Sequence, residues 1–86
     1  MSFSVKWDPK AAKQLEKLPR DVVVRILARV RLAGETARFL EPLTEHEYGY
    51  KIRAGDYRIL VDVSYNPDEL IVRFVGHRKS VYKRTQ

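Results

Sequence analysis

Residues 49–82 read GYKIRAGDYRILVDVSYNPDELIVRFVGHRKSVY, and this run decides how the chain folds. Its apolar and polar residues alternate with the period of strands, and its two breaks, Gly55-Asp56 and Asn66-Pro67-Asp68, carry the residues that turns require. Three strands are predicted, over residues 48–54, 57–64 and 69–76. Connections this short force each strand to lie antiparallel to the one before it. Along the first strand Lys51 and Arg53 share one face while Tyr50 and Ile52 share the other. The sheet is therefore expected to be apolar behind and cationic in front.

Upstream, residues 2–7 also alternate, with Phe3, Val5 and Trp7 on one side and Ser2, Ser4 and Lys6 on the other, as in a half-buried strand. Asp8-Pro9 then opens a helix, Asp8 as a cap for free N–H groups and Pro9 in the first turn, where a missing N–H costs nothing. Ala12, Leu15 and Leu18 follow at helical spacing, with Lys10, Lys13 and Lys17 between them as a solvated or partner-binding face. Pro19 closes this helix and opens the next. Val23, Ile26, Leu27 and Val30 form its apolar stripe, and Gly34 is the expected stop. Residues 35–47 contain Pro42 and several carboxylates and read as a loop pinned by Leu40 and Leu43. A helical turn is possible over residues 80–83. The order βααβββ predicts an α+β fold, with two antiparallel helices on one face of a small, mainly antiparallel sheet and the other face available for function.

Composition sets the limits. The chain has 86 residues and no cysteine, so one small domain over residues 1–86 is expected, without disulfides or thiolate metal sites. No apolar run reaches membrane-spanning length and the N-terminus lacks a signal-peptide core, which makes a soluble, cytoplasmic protein the expectation. The formal charge is +6, which favours polyanions or an acidic protein partner. That excess leans toward residues 50–86, where eight Lys and Arg face four Asp and Glu. Two histidines 31 positions apart give no metal-ligand spacing, and no cofactor is expected.

The runs GYKIRAGDYRIL and VGHRKSVY, with the length and element order of the whole chain, resemble the RelE/ParE toxin superfamily, and the second run is similar to its RelE-like branch. The resemblance implies the toxin of a type II toxin–antitoxin system: a ribosome-dependent endoribonuclease that cleaves mRNA in the A site, held inactive by a RelB-like antitoxin in a hetero-oligomer. It further implies a site built from Lys51, Arg53, Arg58, Arg78 and Tyr82, with Lys79 among the substrate-binding residues. GDYR is also shared with ParE-type members that poison DNA gyrase without cutting RNA. A gyrase inhibitor, or a non-catalytic relative that binds RNA or regulates its operon, is the alternative reading.

Metal-free RNA cleavage needs a base for the 2′-OH, cations for the pentavalent phosphate and an acid for the 5′-oxygen. Arg53 stands where the best-studied branch has lysine, and a guanidinium is a poor proton acceptor. Lys51 becomes the expected base, since crowding by Arg53 and Arg58 favours the neutral amine. The arginines suit bidentate phosphate contacts, Arg78 is implied as the donor to the leaving group, and Tyr82 suits stacking on a nucleobase or a lid over the sheet edge. His77 beside Arg78 is either a proton shuttle or a solvated, backbone-bonded side chain. Tyr48, Tyr50, Tyr57 and Trp7 read as packing residues, and His46 as a solvated loop side chain.

Overall fold

The computed structural model describes the backbone of residues 2–84 and the side chains through Val81. Its elements are β1 (Ser4–Trp7), α1 (Pro9–Glu16), α2 (Arg20–Thr36), β2 (Glu41–Pro42), β3 (Tyr50–Ala54), β4 (Tyr57–Ser64), β5 (Glu69–His77) and α3 (Arg78–Arg84). The five strands form one sheet in the order β1-β5-β4-β3-β2, with β1 parallel to β5 and every other pair antiparallel. The α+β architecture and the three consecutive antiparallel strands match the expectation from the sequence. A strand within residues 35–47 was not expected, and the helical turn expected over residues 80–83 lies inside the longer helix α3.

The main core lies between α2 and the sheet. Ile26, Val30 and Ala33 of α2 meet Ile52, Ile59, Val61, Leu70, Val72 and Val75 in one buried cluster, and Ala11 of α1 joins it. Trp7, Tyr50 and Tyr57 pack against its rim. β1 pairs with β5 only as far as Val72. Beyond that point α1 flanks the strand, and Gln14 Oε1 accepts a hydrogen bond from Val75 N at 2.8 Å, so that a backbone donor next to the core is satisfied.

Two local expectations are corrected. α2 does not stop at Gly34 but runs to Thr36, ending on Ala37 in the left-handed region. Gly34 is instead buried where the helix touches β1: a Cβ there would lie 2.8 Å from Val5 Cγ2 and 3.4 Å from Phe3 O, and Phe3 N donates to Gly34 O at 2.7 Å. Its absent side chain permits close helix–strand contact. Asp8 occupies the N-cap of α1 without a side-chain cap bond, because its carboxylate is engaged elsewhere. Oδ2 lies 2.6 Å from Arg73 Nε, an ion-pair contact too poorly aligned to count as a hydrogen bond.

Arg73 owes its direction to a bulge. Leu60 pairs with Phe74 and Val61 with Val72, which leaves Arg73 as the extra residue on β5. Its guanidinium also bonds Asp62 Oδ2 at 3.1 Å and lies over the Tyr48 ring, while Asp62 Oδ1 accepts from Gly49 N at 2.8 Å. The bulge thus ties the entrance of β3 to the centre of the sheet. On this front face Tyr48, Leu60, Phe74 and Val81 form a second buried cluster, with Leu43 against it. The front is accordingly part apolar, and α3 is pinned onto it through Val81.

Candidate functional site at the hairpin tip

The register assembles the cations. Arg53 faces Arg58 across β3–β4, and Arg58 faces Gly76 across β4–β5, so both arginines project from the front of the sheet near the Gly55-Asp56 turn. One row further in, Glu41, Lys51, Leu60 and Phe74 lie side by side across four strands. Arg78 reaches the same turn from the start of α3: its backbone N donates to Asp56 O at 2.7 Å, and its Nε lies 3.8 Å from Asp56 Oδ1. Lys51, Arg53 and Arg58 of the β3–β4 hairpin and Arg78 of α3 therefore sit on or beside one end of one face.

They are not equivalent. Arg58 is almost wholly buried, at 5% exposure. Its Nη1 donates to Gly55 O at 2.8 Å and to Tyr57 O at 2.9 Å, so the guanidinium braces the turn that carries it. Its Nε finds no partner among the described residues, and a buried, unsatisfied donor is costly to leave unmade. Arg53 is exposed but paired, with Nε 2.8 Å from Glu41 Oε2. Arg78 is half-exposed beside a well-exposed Asp56. Lys51 is half-buried between Glu41 and Leu60.

Glu41 was missed by the sequence reading. Residues 35–47 read as a loop, yet Glu41 and Pro42 pair with Lys51 and Tyr50 to form β2, a strand only two residues long that leaves no periodicity to detect. Its consequence is chemical: a carboxylate now stands beside Lys51 and in contact with Arg53. Carboxylates accept protons at neutral pH, which ammonium and guanidinium groups do not.

His77 pairs with Tyr57, one position out of phase with the Arg58–Gly76 pair. It therefore points to the opposite face from Arg58, and its ring meets the Tyr57 ring edge-on at 5.5 Å. Its Nδ1 accepts a hydrogen bond from Lys79 N at 3.2 Å, which caps the first turn of α3. Lys79 is exposed on that turn. His46 Nδ1 similarly accepts from Tyr48 N, so both histidines bond the backbone two residues on. The Tyr82 side chain lies outside the described residues. Among the described residues no three His, Cys, Asp or Glu side chains gather as metal ligands, and no helix is long and apolar enough to cross a membrane.

Residues 5–82 match the family described as the ParE toxin of the type II toxin–antitoxin system parDE. Toxin RelE3 of Methanocaldococcus jannaschii is 54% identical over 37 residues, a stretch covering 43% of this chain and 39% of that protein. Among solved structures, the toxin in the RelB-RelE antitoxin–toxin complex from Methanococcus jannaschii is 27% identical with a TM-score of 0.71, covering 92% of this chain and 96% of that one. An arginine-substituted variant of E. coli toxin RelE in the free state is 25% identical with a TM-score of 0.77, covering 99% and 95%. The family match runs over nearly the whole chain and the architecture is shared, and the chain belongs to the ParE-toxin family of type II toxin–antitoxin systems, within the RelE/ParE superfamily.

Proposed function

We propose that this toxin is an endoribonuclease that cuts mRNA in the ribosomal A site, acts in the cytoplasm and is neutralised by a RelB-like antitoxin. The observation that carries this reading is the gathering of Arg53, Arg58 and Arg78 about one turn, with Lys51 and Glu41 one row away. Such a cluster suits a phosphodiester in a way that a flat, mixed-charge surface does not.

In this reading Arg78 and Arg53 contact the scissile phosphate, Arg53 exchanging its bond to Glu41 for a phosphate oxygen. Arg58 acts from beneath, holding the turn and adding positive potential. The 2′-OH gives its proton to a base and its oxygen attacks phosphorus; the bond to the 5′-oxygen breaks, and that oxygen takes a proton from Arg78 or from water. The products are a 2′,3′-cyclic phosphate and a 5′-OH end. The sequence points to Lys51 as the base, because the guanidinium of Arg53 is a poor proton acceptor. With Glu41 in place, the carboxylate is the better proton acceptor and Lys51 the neighbouring cation that stabilises the dianionic transition state. Few of these groups are free before substrate arrives, which favours a ribosome that supplies alignment.

The second reading is a ParE-like gyrase inhibitor, favoured by the description of the matching family itself. Two assays on one preparation separate them. Toeprinting in a purified translation system should show new 5′ ends within codons occupying the A site, while gyrase supercoiling proceeds unaffected. Intact mRNA together with blocked supercoiling would reverse the assignment.

A further inference from the structure

The Gly55-Asp56 turn is touched from its other side as well. Gly55 has φ +61, and a Cβ built on it would lie 2.8 Å from Arg25 Nη1 and within 3.8 Å of its Cζ. The guanidinium of Arg25 thus rests on the bare Cα of the turn whose carbonyls bind Arg58 and Arg78. Four residues on, about 6 Å along the helix, the Arg29 guanidinium lies 4.7 Å from the centre of the Phe39 ring. Arg25, Ala28, Arg29 and Leu32 line a shallow depression of about 260 Å³.

Phe39 is unusual in two respects. The residue is 43% exposed, and its backbone is held at φ +69, a conformation that L-residues with large side chains avoid. Backbone strain of this kind clusters at active sites and ligand clamps. Arg25 and Arg29 are also unneutralised. Arg31, Arg53, Arg73 and Arg78 each have a carboxylate within 4 Å; among the described residues Arg25 and Arg29 have none.

We infer that Arg25, Arg29, Leu32 and Phe39 form a second contact surface for single-stranded RNA, joined to the hairpin-tip site through the contact of Arg25 with Gly55. The inference rests on the reading of the tip as a phosphate site. RNA leaving the tip meets the Arg25 fork at the turn and the Arg29 fork one helical turn later, and a base stacks on the exposed part of Phe39 beside Arg29. Free guanidinium charge beside an aromatic, continuous with a phosphate site, fits RNA better than an acidic protein, which would need a broader apolar face at its centre.

The test uses a short, fully 2′-O-methylated oligoribonucleotide, which lacks the attacking hydroxyl and so cannot be cut. Its affinity is followed by fluorescence anisotropy across salt concentrations for the whole chain. The double variant Arg25→Ala/Arg29→Ala should bind roughly tenfold or more weakly, with the slope of log K against log salt flattened by about 1.4, two phosphate contacts at about 0.7 each. Phe39→Ala should lose about fivefold or more through stacking. Arg31→Ala, two residues beyond Arg29 on α2 and already paired with Glu35, should change affinity less than about twofold. Unchanged affinity and slope in the double variant overturns the inference, and leaves the nuclease reading standing if wild type still cuts translated mRNA. Patch-dependent binding by a wild type that cuts nothing supports the contact and removes the nuclease reading instead. Should the double variant keep its RNA affinity but no longer co-purify with the antitoxin, the surface belongs to the protein partner and the inference fails.

Discussion

Glu41 Oε2 lies 2.8 Å from Arg53 Nε, and the strand register places the same glutamate directly beside Lys51. One carboxylate thus touches or borders two of the cations that define the site. This arrangement keeps a proton acceptor beside the cations at the hairpin tip and holds Arg53 in an ion pair.

The first prediction concerns that ion pair. Glu41→Gln removes the negative charge while keeping the shape and an acceptor oxygen. RNA binding should hold or tighten, because Arg53 is freed, whereas the single-turnover rate of mRNA cleavage should fall by about 10²-fold or more, the usual contribution of a positioned base. Faster cleavage in this variant would mean that Glu41 only masks Arg53.

The second concerns Arg58. It is buried and donates to the Gly55 and Tyr57 carbonyls, so Arg58→Ala should not be a clean loss of charge. Stranding two carbonyls at the turn should cost about 1–3 kcal/mol of stability, lowering Tm by about 10 °C in a domain of this size. Arg58→Lys should recover part of the stability and little of the activity. Thermal melts by circular dichroism read the first effect and cleavage the second. An Arg58→Ala variant as stable as wild type would show that the turn does not depend on the guanidinium.

How far the sequence could be read divides along physical lines. The three C-terminal strands were legible because each is long enough for alternation to show, and the β3–β4 register follows once the Gly55-Asp56 turn is placed. Glu41 was not legible: a two-residue strand has no period, and its pairing depends on the chain returning past β3. Nor was the burial of Arg58, since alternation assigns a face but not what covers it, and here Phe74 and Val81 bring an apolar cluster onto the front. The bulge at Arg73 is the deeper reason. It turns two successive residues of β5 to the same face, which no strict two-residue period anticipates.

The third prediction tests the close approach of α2 to β1. By helix propensity alone, Gly34→Val would be neutral or slightly stabilising. A Cβ at this position would sit 2.8 Å from Val5 Cγ2, and β1 is an edge strand with β5 as its only neighbour in the sheet. Overpacking should dominate, lowering stability by about 2 kcal/mol. Chemical denaturation with an unchanged m-value would read this directly, and a gain in stability would show that β1 shifts freely.

The last prediction separates the candidates for the base. Lys51→Arg preserves the charge and nearly abolishes a neutral, proton-accepting form, while His77→Gln removes an imidazole that faces away from Arg58 and whose Nδ1 caps α3. If Glu41 takes the proton, Lys51→Arg should retain a rate within about tenfold of wild type, and His77→Gln should chiefly loosen α3, showing as a small loss of stability. Single-turnover cleavage of A-site mRNA measured across pH for all three variants distinguishes the roles. A collapse of the rate in Lys51→Arg with Glu41→Gln near wild type returns the base to the lysine. A collapse confined to His77→Gln, with its fold intact, would require the histidine to leave its cap and reach the front face, and the hairpin-tip assignment would then have to be rebuilt around it.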